Sequence, residues 1–250
     1  MTDLASSPWV SASPWVALPA TQALFARAAL AGDHPLLHRI RSGASHADDI
    51  VAWVQSRVCL VEYQARKDIL ILAKLSDRDA RRRWTLRLLA IDGHGDFYGP
   101  SKQGLLESWR RLMEQVCVPS RPPSAALTAT LGRLFDTQLV RVQNASWIES
   151  LGSTLVDDWV ARNDGATALM LASASASASA SASASASAYA GSGWALQHNS
   201  GLAQHTLQAL SAQLGPSADD GLTAEALASI DQRVALEHAV LDAVQAFAAQ

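Results

Sequence analysis

The sequence predicts an all-α protein, and three observations carry that prediction. From about residue 20 onward, apolar residues recur at steps of three and four. Residues that open and close helices stand at the ends of those runs. Nowhere do several β-branched residues alternate with polar ones between turn signals, so strands have no support.

Taken in order, residues 1–19 read as a flexible N-terminal tail that repeats Ser-Pro-Trp-Val at 7–10 and 13–16. Its two tryptophans are candidates for docking on the body or on a partner. Residues 20–250 read as a single helical domain. Gln22 to Ala31 makes a short helix, closed by Gly32 and by Pro35, which cannot continue it. Asp48 to Leu75 is the longest run, with Ile50, Val54, Val58, Val61, Ala65, Ile69 and Leu72 on one buried stripe. Ser76-x-x-Asp79 resembles a capping signal for a helix reaching about Ile91, with the stripe Ala80, Trp84, Leu88 and Ile91. It stops in Asp92-Gly93-His94-Gly95-Asp96, where glycine permits positive φ. Further helices are predicted at about 102–117, 124–142 and 146–162, the last opened by the capping box Ser146-x-x-Glu149. A final pair covers roughly 194–214 and 223–249. Between them lies a low-complexity Ala/Ser tract at 171–189, which has no large side chain to offset the entropy of ordering. Disorder or a loosely held helix is expected there.

Composition excludes several classes. With 20 Lys plus Arg against 23 Asp plus Glu and a formal charge of −3, the chain lacks the basic footprint that nucleic acid requires. The Ala/Ser tract is too polar to span a membrane, and no other apolar run is long enough. The opening Met1-Thr2-Asp3 places an acid where a signal peptide carries positive charge. Two distant cysteines make no disulfide framework, so the expected compartment is the reducing cytoplasm.

The usual chemical motifs are also missing. None of the seven histidines has a carboxylate three or four residues before it, so the Glu-x-x-His pairs of di-metal bundles are absent. His34 and His38 have chelating spacing, but Pro35 between them marks a helix entry, where capping roles are expected. Cys59 lies mid-helix among apolar residues and Cys117 ends a helix, so both read as packing residues. There is no Gly-x-Gly-x-x-Gly, Walker loop or Gly-x-Ser-x-Gly elbow. Neither a metal nor a bound cofactor is expected. Arg81 and Arg82 read as a solvated face beside Asp77 and Asp79, whereas Arg87 borders the apolar stripe, where its long side chain can reach inward.

Several segments together resemble the pyrroloquinoline-quinone synthase family. They are Ile50-Val51-Ala52-Trp53-Val54-Gln55-Ser56-Arg57, Lys67-Asp68, Ser76-Asp77-Arg78 through Arg82-Arg83-Trp84 and Arg87, and Asp92-Gly93. His34-Pro35, Gly104 with Glu107-Ser108-Trp109, Ser146-Trp147-Ile148-Glu149 and Leu241-Asp242-Ala243 extend the likeness over about residues 30–250. The resemblance implies a haem-oxygenase-like bundle of about seven to eight helices around a central cavity, shared with thiaminase-type proteins and usual in homo-oligomers, here a homodimer. It also implies cofactor-independent, oxygen-dependent oxidation in a cage where arginines and a lysine hold a polycarboxylated quinone precursor.

Carried over by position, Arg57 and Arg87 match arginines of that cage, Asp157 falls where the family has glutamate, and Arg233 where it has lysine. Other positions depart. The family's Phe-Tyr-Tyr-Gln is Val58-Cys59-Leu60-Val61, its His-Asp-Gly is Ile91-Asp92-Gly93, and its Gly-Tyr-x-Tyr-Phe-Arg corresponds to Gly193-Trp194-Ala195-Leu196-Gln197-His198. Lost hydroxyl and imidazole groups remove hydrogen-bond partners and acid–base capacity. One expectation is therefore a divergent oxidoreductase in which Arg57, Arg87 and Arg233 bind a small carboxylated molecule, Asp157 accepts a proton and His198 is its acid–base partner. A second is a non-catalytic ligand-binding or interaction scaffold. A third, a thiaminase-type hydrolase, needs a poised cysteine. The arginines also admit an architectural role, pairing with Asp68, Asp92 and Asp157 inside the bundle.

Overall fold

Helix α3 (Ala47–Lys74) is the axis around which the chain is built. In a computed structural model, residues 19–94, 102–117, 122–177, 206 and 220–249 are described, and among them the chain is helical apart from turns and one minimal ladder. The remaining helices are α1 (Pro19–Ala29), α2 (Pro35–Ser42), α4 (Arg78–Asp92), α5 (Leu105–Val116), α6 (Ala125–Asn144), α7 (Trp147–Ser177) and α8 (Asp220–Ala248). Helix α3 packs on α4, α5, α6 and α8, and the most extensive helix pair is α7 with α8. The all-α prediction holds.

The apolar stripe of α3 is right at Val54, Val58 and Val61 but drifts beyond them, because Ile69 is 55% exposed. The buried face there is instead Leu60, Gln64, Lys67, Asp68 and Ile71. Apolar periodicity overlooks charged residues, yet charges are buried when they are paired. Helix α4 buries Trp84, Arg87 and Ile91, with its arginine inward as expected.

The helix ends follow the local signals, with one cap displaced by a residue. Pro35 does not merely stop α1. It is the first residue of α2, where its missing N–H costs nothing, and the His34 ring accepts the Leu36 N–H as cap. The cap of α4 is Asp77 rather than Ser76, its carboxylate accepting the Ala80 N–H at 2.6 Å. The Ser146–Glu149 box is present in both directions, at 3.1 and 2.7 Å.

Helix α7 runs past the predicted end near 162 to Ser177, into the Ala/Ser tract. Asn163-Asp164-Gly165 is weak helix sequence, but Asp164 is buried, beside Arg57 of α3 and Glu237 of α8, so tertiary packing carries the helix through this stretch. The rest of the tract, the tail at 1–18 and most of the predicted 194–214 helix lie outside the described residues.

After α4 the chain makes a two-residue antiparallel ladder, Gly93 opposite Gln103 and His94 opposite Lys102. Four residues are too few to show an alternating pattern. Gly93 has φ +79°, and a side chain at Gly104 would meet the Ile91 carbonyl at 2.5 Å, so both glycines let this crossing close.

Candidate functional site: a buried ion-pair cluster

Four cations point into the centre of the bundle from three helices. Arg57 and Lys67 descend from α3, Arg87 from α4 and Arg233 from α8, and all are buried. On α3 the ten residues from Arg57 to Lys67 span close to three turns, which sets both on the inner face. Helix α7 answers with Asp157, Asp158 and Asp164, α3 with Asp68 and α8 with Glu237, all buried as well.

The pairing is specific. Arg233 Nε donates to Asp157 Oδ1 at 2.6 Å, and Lys67 Nζ donates to Asp157 Oδ2 and to Thr154 Oγ1, the latter at 2.9 Å. Arg233 also gives both Nη groups to Glu237 Oε2 at 3.2 Å, one helical turn away. Arg87 Nε donates to Asp68 Oδ2 at 2.6 Å and its Nη1 to Asp158 Oδ1, while the Thr206 hydroxyl donates to Asp158 Oδ2 at 2.9 Å. Arg57 differs: Asp164 Oδ2 lies 2.9 Å from its Nε and Glu237 Oε1 2.7 Å from its Nη1, yet neither N–H is aimed for a hydrogen bond. These are ion pairs by distance with poor directionality.

Electrostatics follow from the geometry. Burial pushes the Asp157 carboxyl up, but Arg233 and Lys67 outweigh it and hold the group below the ordinary aspartate range. Glu237 is likewise held low, because Arg57 and Arg233 outweigh its burial. For Asp164 burial dominates, Arg57 opposes it and neighbouring Glu237 adds to it, leaving the carboxyl at about 6.

Arg57, Arg87, Arg233 and Asp157 are therefore brought together. The inward projection of the arginines is as expected. What surrounds them is the chain's own carboxylates, as the architectural role requires for Asp68 and Asp157. Asp92, the other carboxylate named for that role, stands exposed at the end of α4 and pairs with none of the three arginines. His198 lies outside the described residues.

Sequence reasoning missed Asp158, Asp164 and Glu237 as members of the cluster. A signal for Glu237 was present, since it stands four residues after Arg233 on an otherwise apolar face. Nothing local distinguishes Asp158 and Asp164 from ordinary helix acids.

Further buried atoms near these groups have no hydrogen-bond partner among the described residues: Tyr63 Oη, Asp68 Oδ1 and Arg57 Nη2, and at the edge of the cluster Arg41 Nη2, Trp53 Nε1 and Trp84 Nε1. Native interiors leave few such atoms. The Tyr63 ring stacks on Phe135 at 4.9 Å between centroids.

The other candidates are quiet. His34 Nε2 lies 3.1 Å from Asp242 Oδ1, and His38 Nε2 lies 3.1 Å from Asp33 Oδ1 on an exposed surface. Among the described residues no three His, Cys, Asp or Glu side chains gather as metal ligands would. Burial, with Glu62 nearby, raises the Cys59 thiol to about 11. A groove of about 680 Å³ between the end of α6, α7 and α8 is lined by Gln138, Arg141, Glu149, Ser153 and Ser229, and none of the four cations reaches it. No helix among the described residues is long and apolar enough to cross a membrane.

Comparison with known proteins agrees with this architecture. The chain is 32% identical over 139 residues to a pyrroloquinoline-quinone synthase of Ectopseudomonas mendocina, covering 54% of each chain. It is 30% identical over 126 residues to one of Pseudomonas aeruginosa and 32% identical over 126 residues to one of Pseudomonas entomophila, in each case 50% of this chain and 48% of the relative. The chain thus spans about half the length of the curated relatives it matches. The model of the TENA/THI-4/PQQC family matches residues 22–214. Its architecture is the haem-oxygenase-like helical fold, and the chain belongs to the TENA/THI-4/PQQC family.

Proposed function

We propose that the chain is a divergent pyrroloquinoline-quinone-synthase-like oxidoreductase that oxidises a small carboxylated molecule with oxygen in its helical interior, without a bound cofactor. The observation that carries this reading is the set of unpartnered polar atoms, Tyr63 Oη, Asp68 Oδ1 and Arg57 Nη2, among the buried ions. Hydrogen-bonding capacity left open in a dry interior is where the polar atoms of a ligand gain most. The likeness to pyrroloquinoline-quinone synthases supplies the reaction class.

Arg57, Arg87 and Arg233 supply the positive field for the carboxylates. Asp157 is the proposed proton acceptor: Lys67 and Arg233 keep it ionised but weaken it as a base, so the transfer relies on the same cations acidifying the quinol hydroxyl. His198 is its acid–base partner. The overall step is quinol plus oxygen giving quinone plus hydrogen peroxide, so two electrons and two protons leave the substrate together. The chain is proposed to work as a cytoplasmic homodimer, and native mass spectrometry of freshly isolated protein reads subunit number and retained ligand at once.

The test is oxygen uptake and peroxide release with carboxylated aromatic quinols, 2,5-dihydroxybenzoate first. Turnover that Arg57→Ala abolishes and Arg57→Lys partly restores supports the reading. Turnover equal in all three proteins, or none with any carboxylated quinol, overturns it. A second reading, a non-catalytic binder, is favoured by one observation: each interior cation already has a carboxylate of the chain beside it. Binding of the quinol without oxygen uptake would establish that reading instead.

A further inference from the structure

Arg57 is the least well bonded cation of the cluster. It is 1% exposed, yet among the described residues none of its Nε, Nη1 and Nη2 makes an aligned hydrogen bond. Guanidinium and carboxylate normally meet through two parallel bonds, but Arg57 meets two carboxylates by one misdirected contact each. Glu237 has a second cation, since both Nη groups of Arg233 donate to it. Among the described residues Asp164 has no other cation within ion-pair distance, and Arg41 of α2 and Arg233 of α8 act on it only through space. Asp164 is therefore the carboxylate of this cluster that is easiest to release.

Arg41 of α2 is a fifth cation on this side of the cluster, its Nη2 buried without a hydrogen-bond partner among the described residues. Burial still outweighs the cations at Asp164, which sits between the misdirected guanidinium of Arg57 and the carboxylate of Glu237.

We propose that Asp164 is a resident stand-in for the carboxylate of a ligand: on binding, Asp164 takes up a proton and gives up Arg57, and the incoming carboxylate takes its place with the bidentate geometry that Asp164 lacks. This rests on the reading above that Arg57 holds a carboxylated molecule. It selects ligands that present a carboxylate where they meet Arg57, and it makes binding proton-coupled. The groups facing Asp164 are Arg57 from α3, Arg41 from α2, and Glu237 and Arg233 from α8. Burial and Glu237 against the pull of Arg57 leave its carboxyl at about 6, so the proton is already in place at pH 5 and must be taken up at pH 7.5.

The experiment is isothermal titration calorimetry with benzoate, at pH 5.0 and 7.5, in buffers of different ionisation heat. Wild type is expected to take up about one proton per benzoate at pH 7.5 and almost none at pH 5.0, with affinity falling about tenfold per pH unit above 6. Asp164→Asn, which keeps the shape without the charge, is expected to bind benzoate with little pH dependence and no proton uptake. Carbon-detected NMR of the ligand-free wild type adds a readout that needs no variant: a carboxyl step near pH 6 that is absent from Asp164→Asn. Binding without proton uptake, or a missing carboxyl step, overturns this inference alone. No benzoate binding at either pH by either protein overturns the reading of Arg57 as a carboxylate site, and this inference with it.

Discussion

Asp157 accepts a hydrogen bond from Arg233 at 2.6 Å with both side chains fully buried, joining α7 to α8, and its other oxygen takes Lys67 of α3. One carboxylate thus ties three helices that are far apart in the chain. Removing one partner of a buried pair leaves uncompensated charge, which costs about 3–5 kcal/mol. Asp157→Asn is expected to lose stability of that order in urea unfolding. Because the folded carboxyl lies below its ordinary range, its contribution is present above about pH 4 and is lost as pH falls through the lowered value.

Arg87 fastens α4 by the same logic, since Asp68 of α3 and Asp158 of α7 both accept from it. Arg87→Met should lower the melting temperature sharply. The triple change Arg87→Met, Asp68→Asn, Asp158→Asn should recover much of that loss, because it removes the stranded charges along with the cation. A triple variant no more stable than the single one would show that packing of the arginine, not charge balance, is what matters.

The Asp164 carboxyl moves the other way. Its folded value of about 6 lies above the ordinary aspartate range, so the folded state binds its proton more tightly than the unfolded chain does. Its contribution is fully present below about pH 4 and declines as pH rises through 6, by on the order of 2–3 kcal/mol in all. Unfolding free energies measured from pH 5 to 8 should fall for wild type and stay nearly level for Asp164→Asn, after correction for the other groups common to both.

The close approach of α7 and α8 depends on Gly152, where an added Cβ would meet the Ala226 carbonyl oxygen at 2.8 Å. A backbone atom has no rotamer to escape into, so Gly152→Ala should cost about 1–3 kcal/mol in spite of its gain in helix propensity. Differential scanning calorimetry of the variant measures it.

Cys59 should be a poor nucleophile, because its thiol is raised to about 11 by burial and by Glu62. Labelling with a disulfide reagent at pH 8 should be slow and should accelerate only on unfolding. Rapid labelling of the folded protein would reopen the cysteine-hydrolase reading.

Much of the fold was legible locally. The periodicity that builds α3 and α4, the Ser146–Glu149 box and the proline at the head of α2 act within one or two turns, so sequence alone specifies helices and approximate ends. The inward direction of Arg87 was also readable, from its place beside Trp84 and Ile91. Where polar residues are buried the local pattern failed, as at Gln64, Lys67 and Asp68, because hydropathy cannot know that a charge has a partner.

Those partners are what only the tertiary structure decided. Arg87 and Asp158 are 71 residues apart, Arg233 and Asp157 are 76 apart, and Lys67 and Asp157 are 90 apart. The sequence by itself determined an all-α chain with a few cations on inward-facing helix surfaces. Whether those cations would meet a ligand, solvent or the chain's own acids depended on the register in which α7 and α8 pack against α3. Helical periodicity repeats every few residues and carries no information about that register. Coulomb attraction and desolvation, which act between groups close in space however distant in sequence, gave each guanidinium its carboxylates and left Arg57 and Asp164 the loosest pair among them.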